Sequence, residues 1–186
     1  MLIIGVDPGI KGGIFAMCCT DKYEYKHTVS YFSMPILEST NRIDSNKLFN
    51  IIDSIVRLGK DEEVLIILEQ QQPMGKEGLT SMMTIGFNYG LVYAACAACT
   101  SATIIEYRPV NIANAVKGWT KNFVTKQKAI NQQFAKYIYG KEHDIFKSIK
   151  PKRTPHEGII DASVIAYYGM MRQKKLSINK SEEDLF

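Results

Sequence analysis

The sequence is poor in the residues that build disulfide frameworks and zinc sites. It contains four cysteines and three histidines among 186 residues. Cys96 and Cys99 have the spacing of a redox or zinc pair, but no second Cys or His pair of ligand spacing accompanies them. They lie in the run Ala-Ala-Cys-Ala-Ala-Cys, so we interpret them as small buried helix residues. No disulfide scaffold is predicted.

Long apolar runs and targeting signals are also missing. The longest uncharged stretch, residues 78–105, is interrupted by polar and small residues, which favours a buried or interface helix over a membrane span. The N-terminus lacks the basic-then-apolar plan of a signal peptide. Internal repeats and low-complexity linkers are absent. We therefore expect a cytoplasmic protein with no membrane partner, made of one domain over 1–172 and a flexible tail over 173–186.

The net charge is +4, but the charged residues are distributed unevenly along the chain. Residues 1–106 contain 8 Lys and Arg against 12 Asp and Glu, whereas residues 107–155 contain 11 against 2. A basic block of this size is either a solvated face or a surface for a polyanion. Nucleic acid is therefore one of two open interpretations of the block.

The pattern of apolar residues predicts an α/β sandwich with a mixed sheet. Apolar runs at 2–6 and 64–68 have the length and the Ile and Val content of buried strands. The Pro8-Gly9 and Gly12-Gly13 pairs predict a tight return from the first run into a second strand. Further strands are predicted over 23–34 and 102–106. Helices are predicted from the Asp44 cap to Gly59, over 79–99, over 109–116, from the Thr125 cap to Tyr139 and from Pro155 to Met171, with a basic loop over 141–154.

Two of the apolar runs end abruptly in a carboxylate, Asp7 and Glu69. Functional groups gather where the ends of parallel strands meet loops, so neighbouring strands would bring both acids to one site. Glu157 and Asp161 lie four residues apart at the start of the last predicted helix and share one face. Each acid alone has a simpler explanation, because Asp7 suits a turn cap, Glu157 suits a helix N-terminus and Asp161 suits a surface.

The four acids together predict a metal site. Clustered carboxylates repel one another unless a cation lies between them, and oxygen-only ligands suit Mg²⁺ or Mn²⁺ rather than zinc. Four acids with two such ions match two-metal phosphodiester hydrolysis, with the ions about 3.5–4 Å apart. Asp7, Glu69, Glu157 and Asp161 are thus the predicted ligands and catalytic residues. His156 is the alternative to Glu157, although a His beside Pro at a helix start also serves as a cap or a surface group.

Six short segments follow one another along the chain: Gly5-Val6-Asp7-Pro8-Gly9, Glu69 after its apolar strand, Gly86-Phe87-Asn88-Tyr89-Gly90, Arg108-Pro109, Val116-Lys117 and Lys126-Gln127-Lys128. In this order they resemble RuvC-like Holliday junction resolvases. The segment His156-Glu157-Gly158-x-x-Asp161-Ala162 resembles the His-Asp-Gly-x-x-Asp-Ala segment of the plant chloroplast resolvase and its bacterial and phage relatives. Glu157 stands where that segment usually has Asp. The resemblance covers roughly residues 2–170.

The resemblance implies an RNase H-like nuclease domain, with a five-stranded mixed sheet flanked by helices. It implies a homodimer that cuts four-way DNA junctions by paired symmetric nicks. Two Mg²⁺ ions per active site are expected, with Mn²⁺ able to substitute, held by Asp7, Glu69, Asp161 and either Glu157 or His156. Because no transit peptide is present, a bacterial or phage source is expected.

The family-like segments also suggest DNA contacts. Lys117, Lys126 and Lys128 are predicted to bind phosphates, which gives affinity that depends on salt and little on sequence. Met74, in the polar loop after Glu69, is a candidate wedge at the junction core. The small-residue helix from Leu79 serves either as the dimer seam or as core.

Three other functions match parts of the pattern. A different RNase H-like nuclease would act on RNA–DNA hybrids or structured RNA. A non-catalytic junction-binding protein would not need all four acids. A sugar-kinase-like ATPase also has Asp-x-Gly followed by Gly-Gly, but it needs two such lobes, which 186 residues cannot supply.

Overall fold

The computed structural model describes residues 1–40, 42–71, 78–121, 130–147 and 156–183, with side chains described through residue 177. Within these ranges an opening run of strands is followed by alternating helices and strands and then by helices, the order that the apolar pattern predicts. The strands are β1 (Leu2–Asp7), β2 (Gly13–Cys19), β3 (Tyr25–Ser33), β4 (Ile36–Leu37), β5 (Arg42–Ile43), β6 (Val64–Glu69) and β7 (Thr103–Tyr107). The helices are α1 (Ser45–Leu58), α2 (Leu79–Ala97), α3 (Pro109–Thr120), α4 (Ile130–Tyr139) and α5 (Glu157–Glu183), with a short 3₁₀ turn at Asp144–Phe146.

Five strands form one mixed sheet in the order β3-β2-β1-β6-β7. β1 and β2 pair antiparallel, as do β2 and β3, whereas β1, β6 and β7 run parallel. The predicted five-stranded mixed sheet is confirmed. β1 and β6 lie at its centre and are buried along nearly their whole length, which explains why both are continuous apolar runs.

Helices cover both faces of this sheet. Successive side chains of a strand point to opposite faces, so β1 and β6 supply alternate residues to two cores. Ile3 and Ile67 pack in the core under α3, α4 and α5. Leu2, Ile4 and Leu68 pack in the core under α1 and α2.

Local signals in α1 and α2 act as predicted. The Asp44 carboxylate accepts a hydrogen bond from the Lys47 N–H at 3.0 Å and caps α1, which ends at Gly59. Cys96 and Cys99 are buried free cysteines packed in the core, which confirms their interpretation as small apolar residues.

The structure differs from the predictions at several helix ends. α5 continues to Glu183, so the predicted helix end at Met171 is wrong and residues 172–183 are helical. No Gly or Pro follows Gly169, and the intervening residues include good helix formers, so nothing local stops the helix. α3 extends past Val116 to Thr120, whose buried hydroxyl donates to the Val116 carbonyl at 2.7 Å. The division at residue 172 and the flexibility of the tail stay predictions.

The structure also contains two short elements that the sequence does not predict. The two-stranded β4–β5 sheet and the 3₁₀ turn were not predicted, since both elements are too short to show periodicity. The predicted Thr125 cap and Pro155 helix start lie outside the described residues. None of the described helices combines the length and apolarity needed to cross a bilayer.

Candidate active site

Asp7 and Glu69 lie at neighbouring strand ends. Val6 is opposite Leu68 in the parallel β1–β6 register, so the next residue of each strand is one of the two acids. Because side chains alternate, Asp7 shares a face with Gly5, and Glu69 shares that face with Ile67. This is the face that α5 covers. The predicted meeting of the two carboxylates at one sheet edge is therefore observed.

Glycines bring the start of α5 onto this edge. Gly12, in the turn after β1, forms an isolated bridge with Gly158 in the first turn of α5. A Cβ on Gly13 would lie 2.8 Å from the Gly158 carbonyl carbon, so a side chain there would push the helix away. Further along β1, Gly5 lies directly under Ala162. The close approach places Asp161 beside the end of β1.

Asp7 and Glu69 are buried beside other negative charge. Burial raises the pKa of Asp7 from 3.8 to about 6, the Asp161 charge adds to the rise, and the Gly9 N–H, which donates to Asp7 Oδ1 at 3.3 Å, acts against it. Burial raises the pKa of Glu69 from 4.5 to about 7, and the charges of Asp7 and Asp161 add to it. The two strand-end acids and Asp161 therefore share one electrostatic site.

Asp161 has a partner that the sequence did not reveal. The Asn131 side-chain amide donates to Asp161 Oδ1 at 2.7 Å. Burial raises the pKa of Asp161, this hydrogen bond lowers it, and the Glu157 charge raises it. Asn131 lies on α4, thirty residues before Asp161, and a single helix Asn carries no spacing signal that could have identified it.

Glu157 and His156 occupy the margin of the site. Glu157 is exposed in the first turn of α5. Its charge raises the pKa of Asp161. His156 is half-buried immediately before the helix, and its backbone carbonyl accepts hydrogen bonds from the N–H groups of Ile159 and Ile160 at 3.1 and 3.2 Å. The predicted choice between Glu157 and His156 as fourth ligand stays a prediction.

The donor set suits a hard divalent cation. Asp7, Glu69 and Asp161 offer only carboxylate oxygens, and their burial beside like charge leaves negative charge that a cation would compensate. Among the described residues, no group of three or more His, Cys, Asp or Glu side chains forms a ready-made metal-binding cluster. Asp161 lies close enough to raise the pKa of Asp7 and of Glu69, but the acids are not arranged as a finished cage.

The predicted DNA contacts are only partly described. Lys117 lies exposed in the last turn of α3. Met74, Lys126 and Lys128 lie outside the described residues.

Comparison with known proteins identifies the fold. No protein-family model matches the sequence, and no curated protein matches it either. A solved structure of Thermus thermophilus RuvC is similar with a TM-score of 0.56 and 17% identity, over 92% of this chain and 96% of that one. The T. thermophilus RuvC complex with a Holliday junction substrate gives 0.54 and 15% over the same shares. The yeast mitochondrial Holliday junction resolvase Ydc2 gives 0.51 and 10%, over 94% of this chain and 82% of that one.

These likenesses span nearly the whole chain. The fold is RuvC-like and belongs to the RNase H-like class, which confirms the fold that the sequence resemblance implied.

Proposed function

We propose that this chain is a structure-specific DNA endonuclease that resolves four-way junctions by paired symmetric nicks. The observation that carries the proposal is the convergence of Asp7, Glu69 and Asp161 at one sheet edge, where burial and neighbouring carboxylate charge raise their pKa values. The similarity to RuvC, one structure of which holds a Holliday junction substrate, supports branched DNA as the substrate. The excess of Lys and Arg over 107–155 supports a polyanion partner.

The three converging acids are the proposed metal ligands, with Glu157 as the fourth and His156 as its alternative. Two bound Mg²⁺ ions, or Mn²⁺ in their place, would supply Lewis-acid stabilisation of the charge that develops during phosphodiester hydrolysis. The protein's own contribution is to hold carboxylate oxygens in place. The Gly9 N–H holds Asp7 Oδ1, and the Asn131 amide holds Asp161 Oδ1.

The active form is proposed to be a homodimer that pairs through α2. Leu79, Met83 and Phe87 are exposed by 71, 68 and 53%, and their four-residue spacing places them along one side of the helix. Gly86 and Gly90 have open space where a side chain would lie, so a second helix has room for close approach. The opposite side of α2 packs in the core, so the helix serves both purposes. A dimer would present two active sites for two nicks.

The remaining contacts are proposed from the sequence. Lys117, Lys126 and Lys128 would bind phosphates, and Met74 would act as the wedge at the junction core.

A cleavage assay on a synthetic four-way junction tests the proposal. Wild-type protein with Mg²⁺ is expected to cut the junction at symmetric positions and to leave linear duplex uncut. Asp7→Asn is expected to abolish cutting while the junction still binds in a mobility-shift assay. Asp53→Asn, which removes an α1 carboxylate on the opposite side of the sheet, is the matched control and is expected to retain activity.

The same assay on linear duplex, an RNA–DNA hybrid and structured RNA separates the alternative functions. Equal cutting of junction and linear duplex would refute the junction specificity. Preferential cutting of an RNA–DNA hybrid or of structured RNA would identify a different RNase H-like nuclease. Tight junction binding without metal-dependent cutting by wild-type protein would identify a non-catalytic binding protein.

A further inference from the structure

A cleft of about 590 Å³ lies between α3 and the second half of α5. It combines side chains of three kinds: exposed carboxamides, exposed cations and aromatic rings. Those that matter here are Asn111, Asn114, Trp119, Tyr168, Arg172 and Lys175. Among the residues that the structure describes, no Asp or Glu lines the cleft.

The positive charges of the cleft are not neutralised by carboxylates in the described part of the chain. Neither Arg172 nor Lys175 forms an ion pair with another described residue. Arg172 and Tyr168 line the same cleft, where burial raises the pKa of the Tyr168 hydroxyl and the Arg172 charge acts against that rise. An anionic group bound here would meet unpaired positive charge beside an aromatic surface.

The Trp119 ring of the cleft packs against two other aromatic rings. Trp119 stacks on Phe134 with ring centroids 5.2 Å apart and an interplanar angle of 20°. Tyr167 meets the Trp119 ring edge-on at 5.7 Å. A ring held by such packing can accept a planar ligand without losing rotamer freedom, which is the property of a base-stacking platform.

The cleft lies on the same side of α5 as the candidate active site. Tyr168, Arg172 and Lys175 follow Asp161 by 7, 11 and 14 residues, spacings that return to nearly the same side of an α-helix. Arg172 lies about 16 Å along the axis from Asp161, a span of about five nucleotides at 3.4 Å per nucleotide. Tyr107 connects the two regions, because it pairs with Glu69 across β6–β7 and meets Tyr168 edge-on at 4.9 Å.

We propose that this cleft binds a nucleotide of the DNA strand at a distance from the carboxylates. Arg172 and Lys175 contact its phosphates, the rings of Trp119 and Tyr168 contact its base, and the amides of Asn111 and Asn114 donate hydrogen bonds to it. The inference rests on the proposed function only for the identity of the strand as DNA.

Trp119 makes the inference directly testable, because it is the single tryptophan of the chain. We would titrate the full-length protein, without divalent metal so that no strand is cut, with the tetranucleotide dT₄ and record tryptophan fluorescence. Saturable quenching is expected. In Arg172→Gln/Lys175→Gln the dT₄ affinity is expected to fall about tenfold or more. The slope of log K against log salt concentration should become shallower by about 1.4, the value for the loss of two phosphate contacts on a single strand.

The matched control is Lys174→Gln, which removes a positive charge from the same helix outside the cleft. It is expected to change the dT₄ affinity less than twofold, and circular dichroism checks that all variants are folded. An equal loss in Lys174→Gln, or dT₄ binding by anisotropy without any change in tryptophan fluorescence, would overturn the proposal. So would equal affinity for inorganic phosphate or for thymidine monophosphate, which would indicate an anion or free-nucleotide site.

The test is separable from that of the proposed function. A protein that cuts junctions but whose dT₄ binding ignores Arg172 and Lys175 refutes the cleft alone. A protein that quenches with dT₄ but cuts no nucleic acid keeps the cleft and refutes the nuclease.

Discussion

Asp7→Asn is expected to stabilise the metal-free protein while it destroys activity. Folding raises the pKa of Asp7 from 3.8 to about 6, so its ionised form is disfavoured in the folded state. At 1.36 kcal/mol per pKa unit, this ionisation costs the folded state about 3 kcal/mol at pH 8. An uncharged Asn of the same shape avoids that cost and retains an oxygen for the Gly9 N–H. The expected rise in melting temperature is roughly 6–12 °C for a chain of this size.

The pH dependence distinguishes this cause from general packing effects. Because the carboxyl pKa is higher in the folded state, stability decreases as pH rises from about 4 to above 6, the window in which folded Asp7 holds its proton and unfolded Asp7 does not. The advantage of Asp7→Asn over wild type should therefore be about 3 kcal/mol at pH 8, roughly half of that at pH 5, and close to zero below pH 4.

Urea unfolding of both proteins at several pH values measures this difference. Asp53→Asn, which loses an exposed ion pair with Arg57, should show no stabilisation at any pH. Mg²⁺ should raise the melting temperature of wild type at pH 8 and have much less effect on Asp7→Asn. Equal or lower stability of Asp7→Asn at pH 8, or a gain that does not vary with pH, would refute the reasoning.

Three further variants probe other parts of the site. Asn131→Ala removes the hydrogen bond that lowers the Asp161 pKa, so the acidic limb of the pH–rate profile should move to higher pH; an unmoved limb would contradict the role of Asn131. Gly158→Ala should lower the free energy of unfolding by about 1–3 kcal/mol and remove most of the cleavage rate, because the new Cβ would clash with the Gly12 backbone. Gly118→Ala is the control: its Cβ would lie in open space, so the change should be neutral or stabilising. Phe87→Glu should elute as a monomer in gel filtration and nick junction strands singly; an unchanged elution volume would contradict pairing through α2.

The central part of the fold was predictable because its signals are local. β1 and β6 are short apolar runs, and each ends in an acid at a point where the chain must leave a buried layer. Their parallel pairing follows from the elements between them, so Asp7 and Glu69 could be expected to meet. Asp161 followed from its place near the start of a helix whose first residues are apolar.

Other features depend on contacts that a single sequence does not display. Asn131 acts through one hydrogen bond between two helices, and no residue type or spacing marks it. The predicted end of α5 at Met171 is wrong because no Gly or Pro follows Gly169 to end the helix. The cleft between α3 and α5 combines residues about sixty positions apart, so only the folded chain brings Asn111 near Arg172.

The bridge between Gly12 and Gly158 has a consequence for how activity appears during synthesis. The first acid is made at residue 7, and the last converging acid at residue 161 reaches it only when α5 docks on β1 and β2. A nascent chain can form the opening hairpin early, but it has no complete carboxylate set until α5 has left the ribosome. We therefore expect chains released before α5 is made to be harmless to DNA, with cutting ability arriving in one step when α5 docks.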